Sequence, residues 1–260
     1  MSAECSPTLD IVIPVYNEGA GILRTLAALE RSVRTPSCVL ICYDFEEDDT
    51  LPAVRERWRG DLPIKFVRNC ERGPHAAVMS GLKASTAPFI VVYPADDDYN
   101  AGILDEMVSK AQEGNDVICA SRFMAGGCMV GCPWLKAMLV RSAAFSLHWL
   151  AGVPTRDPTN GFRLFTRRVV EQIRVESKEG FTYSLELLVK TQRLRWGIGE
   201  VPARWFERQE GQSRFRVLRW LPAYLRWYLF AFATTYGWRG PRTVRQNDPD
   251  AQPGSSTSAA

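Results

Sequence analysis

Short apolar runs that are rich in β-branched residues recur through the first half of the chain, and each is closed by turn-forming or charged residues. Such runs are typical of buried strands, whereas apolar residues spaced three and four apart indicate helices. Helical spacing lies between successive strands, as in Ile22, Leu26, Leu29 and Val33. The predicted strands cover residues 11–15, 38–43, 64–67, the run from Phe89, and 117–120. Alternating strands and helices of this kind predict an α/β fold with a mostly parallel sheet and helices on both faces.

The regular alternation stops after Arg122, where a glycine-rich loop follows. Beyond it we predict helices over 135–150, 169–174 and 181–195, short strands near 163–165 and 198–205, and a last helix over 217–238. The expected organisation is a flexible leader (1–8), an α/β domain (9–215), an amphipathic helical segment (216–238) and a disordered tail (239–260).

Three consecutive carboxylates end the strand that begins at Phe89: Asp96, Asp97 and Asp98. Open α/β sheets bind ligands at the carboxyl ends of their strands. Adjacent like charges repel unless a cation meets them, and Mg²⁺ or Mn²⁺ prefers carboxylate oxygens shared with substrate phosphates. The alternative is a solvated acidic turn.

The loops that follow the parallel strands should meet on one rim of the sheet. They span 14–18, 44–50, 69–75 and 95–98, and they bring Arg68 and Arg72 near the acids. Acids for a metal together with arginines and helix N-termini for anions suit a nucleoside diphosphate bridged by a divalent cation. The sequence contains no Walker loop, GxGxxG or GxSxG motif, which disfavours P-loop nucleotidases, dinucleotide oxidoreductases and α/β-hydrolases.

The distribution of charge and the cysteine content lead to two further expectations. The net charge of the 260 residues is only +3, but nine arginines and only two acids, Glu207 and Glu210, lie between Arg204 and Arg245. The seven cysteines are scattered, and the N-terminus is polar, so we expect reduced thiols and a cytoplasmic protein.

Several motifs together resemble family 2 glycosyltransferases of the GT-A fold, a Rossmann-like architecture. The first half contributes IVIPVYNE (11–18), Asp44 with Asp48 and Thr50, NCERG (69–73) and the strand-terminal acids. The second half contributes SRF (121–123), DPTNGFRLF (157–165), EGFTYSLELLVK (179–190) and GIGEVP (197–202). These later motifs are similar to the polyprenyl-phosphate sugar transferases, of which dolichol-phosphate mannosyltransferase is the best-known member.

The resemblance implies roles for individual residues. Asp96 and Asp98 would bind the metal, and Arg122 and Arg163 would face the phosphates of donor and acceptor. Asp157 lies where the family has an acid near the sugar, so Asp157, Arg122 and Arg163 form the expected catalytic set. The expected nucleotide- and cofactor-binding residues are Pro14, Tyr16, Glu18, Asp44, Arg72, Asp97, Arg208, Ser213 and Arg214.

The sequence also departs from the family pattern. Pro94 stands where the first acid of the usual D-x-D would be, which leaves open which two of the three acids bind metal. Tyr43 replaces the first of two usual aspartates, and Phe45-Glu46 replaces the usual Gly-Ser. The base pocket can therefore differ, and the donor is either a UDP- or a GDP-sugar.

Some of these residues also have a purely structural interpretation. Arg122 and Arg163 could simply pair with acids of the rim, and Asp157 could be a turn former before Pro158. Glu186 could be a surface ion-pair partner of Lys190. We interpret His75 and His148 as packing or surface residues.

The segment 217–238 combines aromatic residues with Arg219 and Arg226, but its apolar run is too short for the ~20 residues that span a bilayer. We expect an interfacial helix, with aromatic packing on the protein as the alternative.

The resulting hypothesis is an inverting, Mg²⁺- or Mn²⁺-dependent glycosyltransferase that uses a nucleotide-sugar and a polyprenyl phosphate. It would lie peripherally at the cytoplasmic face of a membrane, with a membrane protein or a second copy as a possible partner and no nucleic acid. Two alternatives remain: transfer to a sugar hydroxyl of a glycolipid or polysaccharide, and a non-catalytic nucleotide-sugar-binding protein.

Overall fold

The protein folds around a seven-stranded sheet of order β3-β2-β1-β4-β7-β5-β8. The structure is a computed structural model that describes residues 7–207, 217–237 and 239–247. Every pairing in the sheet is parallel except the two that β7 makes with β4 and β5. The strands are β1 (Leu9–Pro14), β2 (Ser37–Tyr43), β3 (Ile64–Arg68), β4 (Phe89–Val92), β5 (Asn115–Ser121), β6 (Cys128–Val130), β7 (Arg163–Thr166), β8 (Gly197–Pro202) and β9 (Arg204–Phe206).

Helices cover both faces of the sheet. The α-helices are α1 (Ile22–Ser32), α2 (Thr50–Arg57), α3 (Pro74–Ala84), α4 (Leu104–Gln112), α5 (Trp134–Phe145), α6 (Arg167–Gln172), α7 (Thr182–Leu194) and α8 (Val217–Thr235). A π-helix, Ser146–Leu150, continues α5. Alternate residues of each central strand enter opposite cores: Ile11 and Ile13 pack with α1 and α4, whereas Val12 packs with α3, α7 and α8. The α/β fold class predicted from the apolar runs is therefore confirmed.

Close packing of α3 on the sheet depends on Gly81. A Cβ at this position would lie 2.4 Å from Val12 Cγ1 and 2.7 Å from Cys42 Sγ. No larger side chain fits there unless the helix moves away from the strands. The small residues of this helix thus permit the close approach that positions its N-terminus at the rim.

The last predicted strand is interrupted. Residues 197–202 form β8 beside β5, while Arg204–Phe206 turn away and pair with β6 in a separate two-stranded sheet. The glycine-rich loop after Arg122 therefore contains a short strand, which holds it against the end of β8.

Helix α8 belongs to the same core as the α/β domain. Trp227 and Ala231 are buried against the face that α7 also covers, and Arg193 of α7 donates to Thr234 Oγ1 and to the Phe230 carbonyl. The alternative given for this segment, aromatic packing on the protein, is thus present at Trp227.

The predicted disordered tail is wrong for residues 239–247. Pro241–Thr243 form a 3-10 turn, Val244 is buried, and Arg174 N donates to the Arg245 carbonyl at 3.1 Å. These contacts fix the segment against the end of α6. The remainder of the predicted tail, 248–260, and the leader residues 1–6 lie outside the described part of the chain. Within the described residues, no helix is both long and apolar enough to cross a bilayer.

Candidate functional site

The rim of the sheet begins with two cross-linked loops, one after β1 and one after β2. Asp48 is fully buried and accepts from Asn17 N at 3.0 Å and from Thr50 N at 2.9 Å. Thr50 Oγ1 in turn accepts from Glu18 N at 3.0 Å. Asn17 has a left-handed backbone (φ 52°), which Asn tolerates better than most residues. The predicted nucleotide loop is therefore held by Asp48, whose structural role the sequence did not reveal.

Pro14 ends β1 at this rim, and Tyr16 is half exposed two residues later. The Tyr16 ring meets Phe45 edge to face, with centroids 5.5 Å apart. Phe45 is one of the departures from the family pattern, and it thus lies beside a predicted nucleotide-binding residue. The neighbouring departure, Glu46, accepts from Tyr43 OH at 3.0 Å. Burial and this contact raise the pKa of Tyr43.

Asp44 is held by two donors from the loop after β3. Asn69 Nδ2 donates to Oδ1 and Gly73 N donates to Oδ2, both at 2.8 Å. Gly73 has φ 102°, a conformation that favours glycine, and it immediately precedes α3. Asn69 was not among the predicted residues, although its place in the N-x-x-R-G segment was a usable signal. Arg72 is exposed at the same turn.

The three acids after β4 do not face the same way. Both oxygens of Asp97 are hydrogen-bonded: Oδ1 accepts from Tyr99 N (3.0 Å) and Asn100 N (2.9 Å), and Oδ2 accepts from Asn100 Nδ2 (2.6 Å). Burial raises the pKa of Asp97, which these hydrogen bonds only partly offset. Asp97 therefore stabilises the turn, and its predicted contact with the cofactor stays a prediction. Asn100 also bonds to the backbone of Arg204, which ties this turn to β9.

Asp96 is exposed and Asp98 half-buried on the same turn. No cluster of three His, Cys, Asp or Glu side chains able to hold a metal is present in the part of the chain that the structure describes. A site with two carboxylates still suits Mg²⁺ or Mn²⁺, because these ions commonly take one or two protein carboxylates together with substrate phosphates and water. Asp96 and Asp98 remain once Asp97 is assigned to the turn. These two carboxylates are therefore sufficient protein ligands for Mg²⁺ or Mn²⁺.

Arg122 and Asp157 form a buried, two-pronged ion pair. Arg122 Nε lies 2.6 Å from Asp157 Oδ2 and Nη2 lies 2.9 Å from Oδ1. Oδ2 also accepts from Arg122 N, and Oδ1 accepts from Thr159 Oγ1. Burial of Asp157 opposes ionisation, but the hydrogen bonds and charge of Arg122 outweigh it and hold the pKa of Asp157 below its ordinary value. The structural pairing considered for Arg122 is thus present, and Asp157 is its partner.

Arg163 does not line the open rim. It is the first residue of β7, its side chain is fully buried, and its guanidinium donates to the carbonyls of Pro158 and Ser184. Because β7 runs antiparallel to β4 and β5, its first residue lies near their carboxyl ends. The contact with the Ser184 carbonyl places the guanidinium at the first turn of α7. The side chain is therefore enclosed, with Arg163 Nε lacking a partner among the described residues. Its predicted contact with the donor and acceptor phosphates stays a prediction.

The interpretation of Glu186 as a surface residue is corrected, whereas the predictions for three other residues are left open. Glu186 is not a surface residue, because both it and Lys190 are fully buried, with Lys190 Nζ 2.6 Å from Glu186 Oε1 and 2.9 Å from Glu176 Oε1. Arg208, Ser213 and Arg214 lie outside the described residues.

Sequence comparison identifies the family. Residues 10–174, more than half of the chain, match Glycosyl transferase family 2. The chain belongs to this family. Membership confirms the class predicted from the sequence, a family 2 glycosyltransferase, and the sheet has the arrangement of the GT-A fold.

Two curated relatives match most of the chain. One is a dolichol-phosphate mannosyltransferase of Pyrococcus furiosus, 22% identical over 230 residues that make up 84% of this chain. This chain spans only 64% of that longer relative. The other is a polyprenol monophosphomannose synthase of Mycolicibacterium smegmatis, 25% identical over 81% of this chain and 85% of its own length.

Similar solved structures include glucosyl-3-phosphoglycerate synthase from Mycobacterium tuberculosis. Its complex with UDP matches with a TM-score of 0.63 at 16% identity, covering 89% of this chain and 82% of the other. A complex of the same enzyme with Mn²⁺, UDP and glucosyl-3-phosphoglycerate matches with a TM-score of 0.62 at 16% identity, covering 91% and 82%. At this identity the likeness establishes the fold.

Proposed function

We propose that this protein transfers a sugar from a UDP- or GDP-sugar to a polyprenyl phosphate, with inversion at the anomeric carbon. It acts as a peripheral enzyme at the cytoplasmic face of a membrane. Family membership supports sugar transfer, and the names of both curated relatives point to a polyprenyl or dolichyl phosphate acceptor.

The Arg122–Asp157 ion pair is the observation that favours a phosphate acceptor over a hydroxyl acceptor. A hydroxyl acceptor needs a general base, and an efficient base has a pKa near the working pH. Asp157 is the acid the family places near the sugar, yet it is buried, accepts four hydrogen bonds and has a lowered pKa. A phosphate monoester is largely ionised at neutral pH and attacks without that help.

Arg122 is suited to hold such an acceptor. Its side chain is 11% exposed, and its fixed guanidinium lies at the carboxyl end of β5. Among the residues that the structure describes, the hydrogen-bond acceptor of Nη1 is the Met129 sulfur at 4.0 Å, so a phosphate oxygen would give it a far stronger acceptor. Asp157 then acts as a positioning residue that fixes the guanidinium plane.

The donor would lie at the opposite part of the rim. Asp44 and the cross-linked loop at 14–18 would hold the nucleoside, and Asp96 and Asp98 would hold Mg²⁺ or Mn²⁺. When bound, a divalent cation would supply positive charge to the leaving diphosphate.

The test compares two acceptors and two variants. Purified protein with Mn²⁺ should release nucleotide from one UDP- or GDP-sugar when polyprenyl phosphate is added, but not with the matched polyprenol. Asp157→Asn should raise KM for the lipid phosphate and lower kcat/KM by about tenfold to a hundredfold, because one charged hydrogen-bond partner of Arg122 is lost. Arg122→Met should be at least as damaging.

Calorimetric titration with UDP and GDP controls for the donor site, and both variants should bind nucleotide as the wild type does. Complete loss of activity in Asp157→Asn, with Arg122→Met still active on a sugar hydroxyl, would establish a base-dependent reaction and refute the lipid-phosphate acceptor.

A further inference from the structure

Helix α5 presents its large apolar side chains to solvent. Only Ala144 is buried along the whole helix. Bulky residues on the opposite side are exposed by about half or more of their surface: Trp134, Leu135, Met138, Leu139 and Phe145. These five residues are called the outer face of α5.

This arrangement is the reverse of that in an ordinary surface helix. Such a helix turns its large apolar side chains inward and its charged residues outward. In α5 the positions turned toward the protein are small or half-buried, such as Ala137, Val140 and Ala144. A contiguous exposed apolar surface of this kind marks a contact with a partner or a membrane.

The π-helix and α8 extend the outer face. Trp149, Leu150, Leu225, Leu229 and Tyr236 are all exposed. The two elements are joined by Ser146 Oγ and Tyr228 OH at 2.7 Å, and Tyr236 OH donates to the Leu150 carbonyl at 2.7 Å. The exposed apolar residues therefore belong to one supported surface.

The charges around this surface indicate its occupant. Residues 117–156, which include α5 and the π-helix, contain no Asp or Glu. Arg141 is exposed at the edge of the outer face. Lys136 lies 3.6 Å from Glu207 and Arg226 of α8 lies 2.7 Å from Glu176, so Arg141 is the cation on which the charge argument rests. A second copy of this chain would bring the same cationic surface against itself, whereas anionic lipid headgroups complement it.

The outer face is also adjacent to the acceptor arginine. Two guanidinium groups lie over the Phe123 ring. That of Arg122 is 5.3 Å and that of Arg141 is 5.7 Å from the ring centroid. Phe123 thus connects α5 to the residue that would hold the acceptor phosphate. A lipid whose phosphate reaches Arg122 would leave its chain on the side of α5.

We propose that the outer face of α5, continued by the π-helix and α8, docks on an anionic lipid bilayer and delivers the membrane-embedded acceptor to Arg122. The inference rests on the proposed function, and it makes α5, rather than α8 alone, the main membrane contact. Aromatic and leucine side chains would enter the headgroup boundary, and Arg141 would contact lipid phosphates.

The experiment is flotation of the full chain with phosphatidylcholine vesicles, with and without phosphatidylglycerol. The wild type should float with the anionic vesicles. Leu139→Ser combined with Trp149→Ser should lower the partition coefficient on the order of tenfold, because two exposed apolar side chains no longer enter the lipid. Arg141→Ser should lower it about fivefold on anionic vesicles only.

Arg57→Ser is the matched control, since it removes one exposed positive charge from α2. It should bind anionic vesicles more tightly than Arg141→Ser does, and thermal unfolding should show that every variant is folded.

Absence of vesicle binding by the wild type would overturn the inference even if detergent-dispersed polyprenyl phosphate is glycosylated. Equal binding by the Leu139/Trp149 variant would overturn it as well. Vesicle binding that depends on α5, without any sugar transfer, would leave the docking surface standing and refute the proposed function instead.

Discussion

At the residue scale, the rim shows how pairings over long sequence distances decide the role of each side chain. Residue types and the family resemblance name Asp44, Asp96, Asp98, Arg122 and Asp157 as candidates, and their roles stay predictions. They could not show that Arg122 and Asp157, 35 positions apart, neutralise each other. Nor could they show that Asp97 faces the backbone of the next turn. Local sequence carries no information about which partner a carboxylate finds across the fold.

The different surroundings of the three adjacent acids lead to a prediction about metal binding. Asp97 has both oxygens occupied by Tyr99 and Asn100, so Asp97→Asn should keep Mn²⁺-dependent nucleotide binding. Asp96→Asn and Asp98→Asn should each weaken that binding by more than about tenfold, because a ligand is lost rather than an outer-shell contact. Calorimetric titration with UDP or GDP, with and without Mn²⁺, measures the difference.

Thermal unfolding of the three variants serves as the control for folding. If Asp97→Asn is folded and loses the Mn²⁺ dependence while Asp98→Asn retains it, the assignment of these two acids is wrong.

At the element scale, hydrophobic patterning predicted most strands and helices to within a few residues. Strands of a parallel sheet are apolar on both faces, so they stand out from their turns. Two features depended on tertiary structure instead. The antiparallel insertion of β7 between β4 and β5 follows from sheet order, and the split of the last strand follows from the pairing of β9 with β6. Neither has a periodic signature.

Helix α8 provides a direct comparison of its two faces. Trp227 is 1% exposed and packs in the core, whereas Leu229, two positions later, is 57% exposed. Trp227→Ala should lower the free energy of unfolding by about 3 to 5 kcal/mol, because it leaves a cavity under the helix. Leu229→Ala should change it by no more than about 0.5 kcal/mol. Urea denaturation of both variants measures the two values.

Similar losses in the two variants would mean that α8 is not docked through its Trp227 face. The comparison also separates packing from membrane contact, since Leu229 lies on the surface that continues the outer face of α5.

At the scale of the whole molecule, titratable groups buried by the fold set the dependence of stability on pH. His75 is the second residue of α3, lies 3.3 Å from Ser177 Oγ and meets the Tyr183 ring edge to face. Burial lowers the pKa of His75, although the nearby Glu186 and Glu71 oppose the shift. The folded state therefore holds this proton less tightly than the unfolded chain does.

The sign of the effect follows from proton binding. Because the unfolded state binds more protons near pH 6.5, the stability due to neutral His75 is fully present above that pH and is lost as the pH falls. The lowered pKa values of Asp157 and Glu176 act in the same direction, but at pH values below about 4. The raised pKa of Asp97 acts in the opposite direction. Only a comparison with a His75 variant therefore isolates the histidine.

We expect the free energy of unfolding to fall between pH 7.5 and 5.5, with a His75 contribution of at most about 1.4 kcal/mol per pH unit. His75→Asn should show a smaller slope in this window and the same slope as the wild type between pH 7.5 and 8.5. Urea denaturation at the three pH values measures both. Identical slopes at all pH values would show that His75 is as accessible to protons in the folded protein as in the unfolded chain. The packing of the α3 N-terminus against Ser177 and Tyr183 would then be looser than its contacts indicate.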